Sequence, residues 1–356
     1  MEERKRLYPV LVPIAAFVLY FFIAADPINE GISLEPKWTA AIEGEALAEA
    51  SKGQGFIGFK LGSSYGFISE DGALASSGMS AFRCAIGDGL SIDYPPQHEE
   101  LLLKDASGKE LARIPEQGYP YFEAGRLFVF STDSTGIAEY DRNGVLRWRK
   151  EFPFVITAFD ANASLAAVGL GDGGFFLVGP TGEEAFSFYP GGSDAEIIYG
   201  CAVSPDGRWL AIVSGLSPQR FLILTKVGAT FRVARHGGFD GDYRRTVKVA
   251  FSEDSASLFY EKPTGLGITD LSSLTDKAIH IEGRLQTVIE APWRGIYLML
   301  TDDSGLWRLS GFKLSGDLVF SYSFPAYQAS LSQKGPQIYL GIDSAMHRLD
   351  YKERAR

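Results

Sequence analysis

The feature that most constrains this chain is a turn signal that keeps coming back. Glu70-Asp71-Gly72, Asp105-Ala106-Ser107-Gly108, Asp141-Arg142-Asn143-Gly144 and Pro180-Thr181-Gly182 punctuate the sequence. Weaker signals follow near Lys226-Val227-Gly228, Asp270 to Ser273, Leu314-Ser315-Gly316 and Asp350. The spacing is roughly 35 to 45 residues, the length of one small four-stranded sheet. Between the turns lie short apolar or alternating runs, among them Leu127 to Ser131, Leu165 to Leu170, Trp209 to Ser214, Ile296 to Thr301 and Ile338 to Ile342. From about residue 38 no long stretch carries a helical period. Glu43 to Ser51 is the best local helix former, and it is short. Short apolar runs bounded by Gly, Asp, Asn, Ser and Pro read as strands. With 40 glycines and 25 phenylalanines in 356 residues, the chain suits many strands and tight turns.

A second register agrees with the first. Cys201-Ala202-Val203-Ser204-Pro205-Asp206-Gly207 parallels Val249-Ala250-Phe251-Ser252-Glu253-Asp254-Ser255, and Thr157 to Ala163 fits the same frame. Each reads as an inner strand, a turn and a second apolar strand, with small Ala suited to a crowded central channel. Ser204-Pro205-Asp206-Gly207-Arg208-Trp209-Leu210-Ala211 resembles the S-P-D-G-x-x-L motif of WD40-like propellers, including the TolB type. Ser131 to Trp148 resembles a PQQ-like repeat, with Asp133 and Gly136 in one turn, Asp141 and Gly144 in the next, then Trp148. The two motifs cover under a tenth of the chain closely, and the regular spacing extends the likeness over most of it. The resemblance implies an all-β fold, a β-propeller of seven or eight four-stranded blades. Eight is favoured by the turn count; seven stays open because Ala81 to Ile114 is hard to parse. Closure would take an outer strand for the last blade from Trp38 to Ile42, since propellers pair their chain ends in one blade.

Ahead of the repeats, Arg4-Lys5-Arg6 precede nineteen uncharged residues, Leu7 to Ala25. At about 1.5 Å per residue this run is long enough to cross a bilayer. Asp26, Glu30 and Glu35 follow it. The positive-inside rule then puts residues 1–6 in the cytoplasm and the rest outside. The expected order is a basic tail (1–6), one transmembrane signal anchor (7–25), a linker (26–37) and the propeller (38–356). A cleaved signal peptide is the rival; its apolar region would be shorter and its cleavage site clearer than Ile23-Ala24-Ala25. The expected location is the cell envelope, periplasmic where the cell has an outer membrane.

The formal net charge is −10. An acidic chain is repelled by phosphate backbones, so nucleic acid is not an expected partner. Two widely spaced cysteines, Cys84 and Cys201, make no disulfide framework and read as buried thiols.

No set of residues makes an active site. His98, His236, His280 and His347 are scattered and lack metal-ligand spacing. There is no nucleophile elbow or phosphate loop, and Gly171-Asp172-Gly173-Gly174 reads as a hairpin turn. Five tryptophans hold no common repeat position, which argues against a quinoprotein. No catalytic residue, metal or cofactor is expected. Two surfaces remain as candidates. Asp133, Asp172, Asp302, Asp303 and Asp343 fall at equivalent second-to-third-strand turns and would share one face, able to attract a cation or a basic partner. The connection His236 to Arg245 carries Phe239, Tyr243, Arg244 and Arg245, types enriched at interface hot spots. Trp293-Arg294 occupies a comparable turn, on the same face or the opposite one. Similarity to TolB-like and PQQ-like scaffolds implies a protein-binding module working with other envelope proteins. A ligand-sensing or enzymatic propeller with its site at the channel mouth is the alternative.

Overall fold

The computed structural model describes residues 32–43, 55–80, 83–239, 241–263, 265–291, 293 and 295–353. The Leu7 to Ala25 segment lies outside them, as do Arg294 and all of Glu43 to Ser51 except Glu43. No helix among the described residues is long and apolar enough to cross a membrane. Residues 36–349 form one compact unit. Residues 1–35 with 350–356 form another, whose described residues are extended strand.

Eight small sheets follow one another along the chain. After β1 (Ile32–Ala41), blade 1 has β2 (Phe56–Leu61), β3 (Ser64–Ser69) and β4 (Leu74–Met79). Blade 2 has β5 (Arg83–Gly87), β6 (Leu90–Tyr94), β7 (Leu101–Asp105) and β8 (Glu110–Ile114). Blade 3 has β9 (Tyr119–Glu123), β10 (Arg126–Phe130), β11 (Gly136–Tyr140) and β12 (Leu146–Glu151). Blade 4 has β13 (Ile156–Ala161), β14 (Ala166–Leu170), β15 (Phe175–Val178) and β16 (Glu184–Phe188). Blade 5 has β17 (Ala195–Val203), β18 (Trp209–Leu216), β19 (Arg220–Val227) and β20 (Thr230–Gly238). Blade 6 has β21 (Val249–Phe251), β22 (Ser257–Lys262), β23 (Gly265–Asp270) and β24 (Thr275–Ile279). Blade 7 has β25 (Arg284–Glu290), β26 (Ile296–Asp303), β27 (Leu306–Lys313) and β28 (Leu318–Pro325). Blade 8 has β29 (Ala329–Lys334), β30 (Gln337–Ile342) and β31 (Ala345–Glu353), with β1 as its fourth strand beside β31. The fold is an eight-bladed β-propeller, and the stretch from Ala81 that resisted parsing contains an ordinary blade.

The turns explain the repeat. Asp105–Gly108, Asp141–Gly144 and Pro180–Gly182 each join a third strand to a fourth, and Glu70–Gly72 joins the last two of the three described strands of blade 1. In two of them one aspartate closes the turn: Asp105 Oδ1 accepts the amides of Ser107 and Lys109, and Asp141 Oδ1 those of Asn143 and Val145. Asp350 departs from the pattern. It lies inside β31, where β1 supplies a neighbour and the strand runs on. The closing strand is also longer than Trp38 to Ile42: it starts at Ile32, inside the stretch read as linker.

Apolar cores fill the wedges between adjacent blades. One joins Ala158, Phe175 and Leu177 of blade 4 to Ile198, Cys201 and Leu222 of blade 5. Another joins Phe128, Ile137 and Trp148 of blade 3 to Ala161, Val168 and Val178 of blade 4. Middle strands are covered on both sides, so β14 is buried throughout and its sequence runs apolar without alternation. Outer strands such as β12 and β24 are mostly exposed. Ala158, Ala161 and Ala202 sit in these wedges. They are buried between neighbouring blades. At Gly200 the blades are crowded: a Cβ there would come within 2.6 Å of the Val247 carbonyl.

Candidate protein-binding face

Neighbouring inner strands run parallel. Thr157 Oγ1 near the start of β13 donates to the Ile198 carbonyl, and the Val203 amide at the end of β17 donates to Asp160 Oδ2. The described second-to-third-strand turns and blade-to-blade connections therefore share one face, called here the loop face. First-to-second and third-to-fourth turns occupy the other.

The Ser204 motif and the Asp141–Gly144 turn lie on that other face, while Asp133 sits in the β10–β11 turn on the loop face. Ser204 Oγ donates to Asp206 Oδ1 at 2.6 Å and accepts the Trp209 amide. Ser252 repeats the arrangement with Asp254 and the Ser257 amide. Asn162 replaces this serine in blade 4, and its Nδ2 donates to the Ser204 carbonyl of blade 5. In blade 3 the link to the next blade comes instead from Arg126, at the start of β10. It is buried, forms a bidentate pair with Glu139, and donates to the Asn162 and Leu165 carbonyls of blade 4. Glu139 also accepts from Trp148 Nε1 at 2.7 Å and from Arg147. Trp293 sits in the β25–β26 turn, so this turn too is on the face opposite the loops.

The loop face holds both surfaces expected from sequence, in altered form. In the connection after β20, Phe239 packs on Phe221 and Tyr260 and lines a groove of about 160 Å³ with Arg235, Lys262 and Asp276. The Tyr243 amide and carbonyl are both held by the Gln219 side chain. Arg245 stacks over the Tyr243 ring and forms a bidentate pair with buried Glu261, which also accepts the Leu285 amide of blade 7. Three of the four residues thus brace the connection, and Arg244 points outward, exposed. Asp133, Asp172 and Asp343 lie in second-to-third-strand turns, and Asp302 and Asp303 at the end of β26. Asp133 Oδ1 accepts from Ser131 Oγ and the Thr135 amide, interactions that hold its carboxyl below the usual range. Asp172 accepts the Gly174 amide, Asp302 the Gly305 amide, and Asp343 the Tyr327 and Gln328 amides. Asp303 ends β26. They are spread over blades 3, 4, 7 and 8. Among the described residues no group of three or more His, Cys, Asp or Glu could hold a metal ion.

Sequence reasoning missed the apolar part of this face. Phe154 and Val155, in the connection after β12, are about half exposed, at 50% and 47%. Tyr189, just after β16, is 53% exposed. Backbone bonds hold the Phe154–Val155 connection in place. The Phe152 and Ile156 amides donate to the Thr135 and Ser134 carbonyls of the Asp133 turn, and the Gly171 amide beside Asp172 donates to the Val155 carbonyl. The Tyr189 ring packs edge-on against Phe176. Burial and then the nearby Asp172 carboxylate push its hydroxyl pKa up. Glu151, Asp194 and Glu196 are exposed around the patch. Arg220 contributes a cation bonded to the Gly191 carbonyl. The signal was in the sequence: Pro153-Phe154-Val155 and Tyr189-Pro190-Gly191 put bulky apolar residues in stretches that read as turns.

Nearer the axis, the Tyr121 hydroxyl donates to Glu123 Oε2 at 2.9 Å, and its ring packs edge-on against Phe130 and Phe159. Asp160 is pushed up to about 7, chiefly by burial, with Glu123 adding to the effect. Cys84 and Cys201 are buried free thiols on the inner strands β5 and β17.

Eight radial sheets, with a loop face presenting apolar and acidic groups, define a β-propeller of the kind that offers a rigid loop surface. A family model described as "beta-propeller protein" matches residues 1–355, and the chain belongs to that family. It is similar to an uncharacterized protein of Treponema pallidum (strain Nichols), 26% identical over 98% of this chain and 95% of the relative. Among solved structures, BamB from Moraxella catarrhalis aligns with a TM-score of 0.61 at 11% identity, over 89% of this chain and 99% of that one. The computationally designed protein Ika8 gives 0.61 at 14% identity, over 87% and 98%. At these identities the likeness is one of fold.

Proposed function

We propose that this protein is a protein-binding propeller of the cell envelope, held at the membrane through residues 7–25, and that its partner docks on the loop face of blades 3 to 5. The observation that carries the reading is the exposed set Phe154, Val155 and Tyr189: backbone bonds to the Asp133 and Asp172 turns fix the first two, and the Phe176 ring braces the third. Apolar anchors on a rigid frame bind with little loss of conformational freedom. The surrounding carboxylates favour a partner that brings apolar side chains ringed by Lys or Arg. The extended apolar run after Arg4-Lys5-Arg6 supports the membrane location. A ligand site at the channel mouth, near Tyr121, Glu123 and Asp160, is the second reading; a small molecule that raises the melting temperature of wild type but not of Glu123→Gln would favour it.

A photo-crosslinking residue at Phe154 or Tyr189 of the full-length chain, in its native membranes, is expected to capture one discrete protein. The same probe at Arg232, on the outer strand of blade 5, is expected to capture none. Phe154→Ala with Tyr189→Ala should reduce co-purification of that protein about tenfold or more. Stability should change by less than about 1 kcal/mol, since both side chains are exposed. Equal capture from all three positions, or unchanged co-purification, would sink the reading.

A further inference from the structure

Most outer blade strands carry charges. β8 has Glu110 and Arg113, β12 has Arg147, Arg149, Lys150 and Glu151, β20 has Arg232 and Arg235, and β24 has Asp276 and Lys277. Charges on an edge strand discourage pairing with another chain. β28, Leu318-Val319-Phe320-Ser321-Tyr322-Ser323-Phe324-Pro325, carries none over eight residues. β4 is also uncharged but shorter, and built largely of small residues. Leu318 and Tyr322 are exposed at 41% and 44%. One edge of β28 pairs with β27, from Leu306 opposite Pro325 to Phe312 opposite Leu318. Its other edge ends the sheet.

The sequence of this edge says what fits it. Phe320-Ser321-Tyr322-Ser323-Phe324 reads the same in both directions about Tyr322. Antiparallel pairing of two identical strands about a two-fold axis through Tyr322 sets like against like. Phe320 meets Phe324 of the other copy, Ser321 meets Ser323, and Tyr322 meets Tyr322. Aromatic pairs directly opposite stabilise antiparallel sheets, and no like charges are brought together. The Phe320 and Tyr322 rings already lie 5.3 Å apart, and with Phe324 the two copies would bring six rings onto one face of the joined sheet. A two-fold interface requires such a self-complementary patch.

We infer that β28 is a self-association edge, through which two copies of this chain join blade 7 to blade 7 in a continuous eight-stranded antiparallel sheet. A single paired edge is small by the standard of permanent dimers, so the association is expected to be reversible and dependent on concentration. It leaves the loop face open and does not rest on the function proposed above.

The test uses the full-length chain in mild detergent. Sedimentation equilibrium across the micromolar to sub-millimolar range should show a monomer–dimer equilibrium. Tyr322→Lys, which sets two ammonium groups opposite each other, should weaken it at least tenfold while the melting temperature stays near wild type. Tyr322→Cys should form an interchain disulfide on mild oxidation, because the axis puts this residue opposite itself. Ser187→Cys, on the outer strand of blade 4, should not. The cysteine arm stands even where the lysine variant folds poorly. A wild type that stays monomeric, a dimer indifferent to Tyr322→Lys, equal cross-linking from positions 187 and 322, or an edge filled only by a strand of another protein would each overturn the inference.

Discussion

A carboxyl group enclosed by β-strands resists ionising, and Asp160 holds its proton to about pH 7 while an unfolded aspartate releases it near 4. The folded chain therefore binds more protons than the unfolded chain across that window. The contribution of Asp160 is greatest below pH 4, falls as pH rises to about 7, and is constant above. Asp160→Asn keeps an acceptor for the Val203 amide and does not ionise. In urea melts its stability relative to wild type should rise between pH 4 and pH 7, by at most about 4 kcal/mol. A difference that stays flat with pH would show that Asp160 is not burdened in the fold. At this scale the sequence was least legible. Asp160 reads as one member of a turn frame, and its partner Val203 lies in the next repeat. Arg245 read as a contact residue because its type suits one; Glu261, which occupies it, is equally far outside any local pattern. Phe154 and Tyr189 were passed over because they stand in turns, where apolar residues are taken for spacers.

Strands and turns were the most legible level. Their alternation, length and turn residues are local, and the sheets follow them closely. What locality hides is how blades are tied to each other. The Arg126–Glu139 pair spans blade 3 and fastens it to the carbonyls of the next first-to-second-strand turn. Both groups are buried, so Glu139→Gln would leave a cation without a counter-charge. The expected cost is about 3–5 kcal/mol, read as a fall in the urea midpoint at unchanged slope. Changing Arg113, an exposed partner of Glu100 and Glu110, should cost less than about 1 kcal/mol. Similar losses from the two would mean that the interblade bond does not carry the turn.

For the whole molecule, counting turns gave eight blades, and eight are present. The count works for blades 1 to 7 because each has a turn before its last strand with strong residue preferences; blade 8, closed by β1, has none, and Asp350 marks it only by position. The start of the closing strand was less legible, since β1 lacks the alternation of an inner strand and runs into a polar stretch. Trp38 marks where the ring closes. Its indole Nε1 donates to the Glu70 carbonyl of blade 1, and its ring lies 6.0 Å from Tyr339 of blade 8. Trp38→Ala should remove about 2–3 kcal/mol and speed proteolysis near blades 8 and 1. Calorimetry with limited proteolysis checks this; a loss of stability with cleavage scattered over all blades would argue against a special seam.

The seam also sets the order of events during synthesis. The Ile42 amide bonds the Ser344 carbonyl, and Thr39 Oγ1 lies 2.9 Å from His347 Nδ1. About three hundred residues separate these partners. At ordinary rates of elongation the ribosome needs roughly 15 to 60 seconds to cover that distance. Blades 2 to 7 can assemble in turn as they emerge, each from contiguous chain. β1 emerges first among the described strands and finds its sheet partner β31 last. The nascent propeller is therefore an open arc with an unclaimed strand at its leading end until β31 emerges to pair with it.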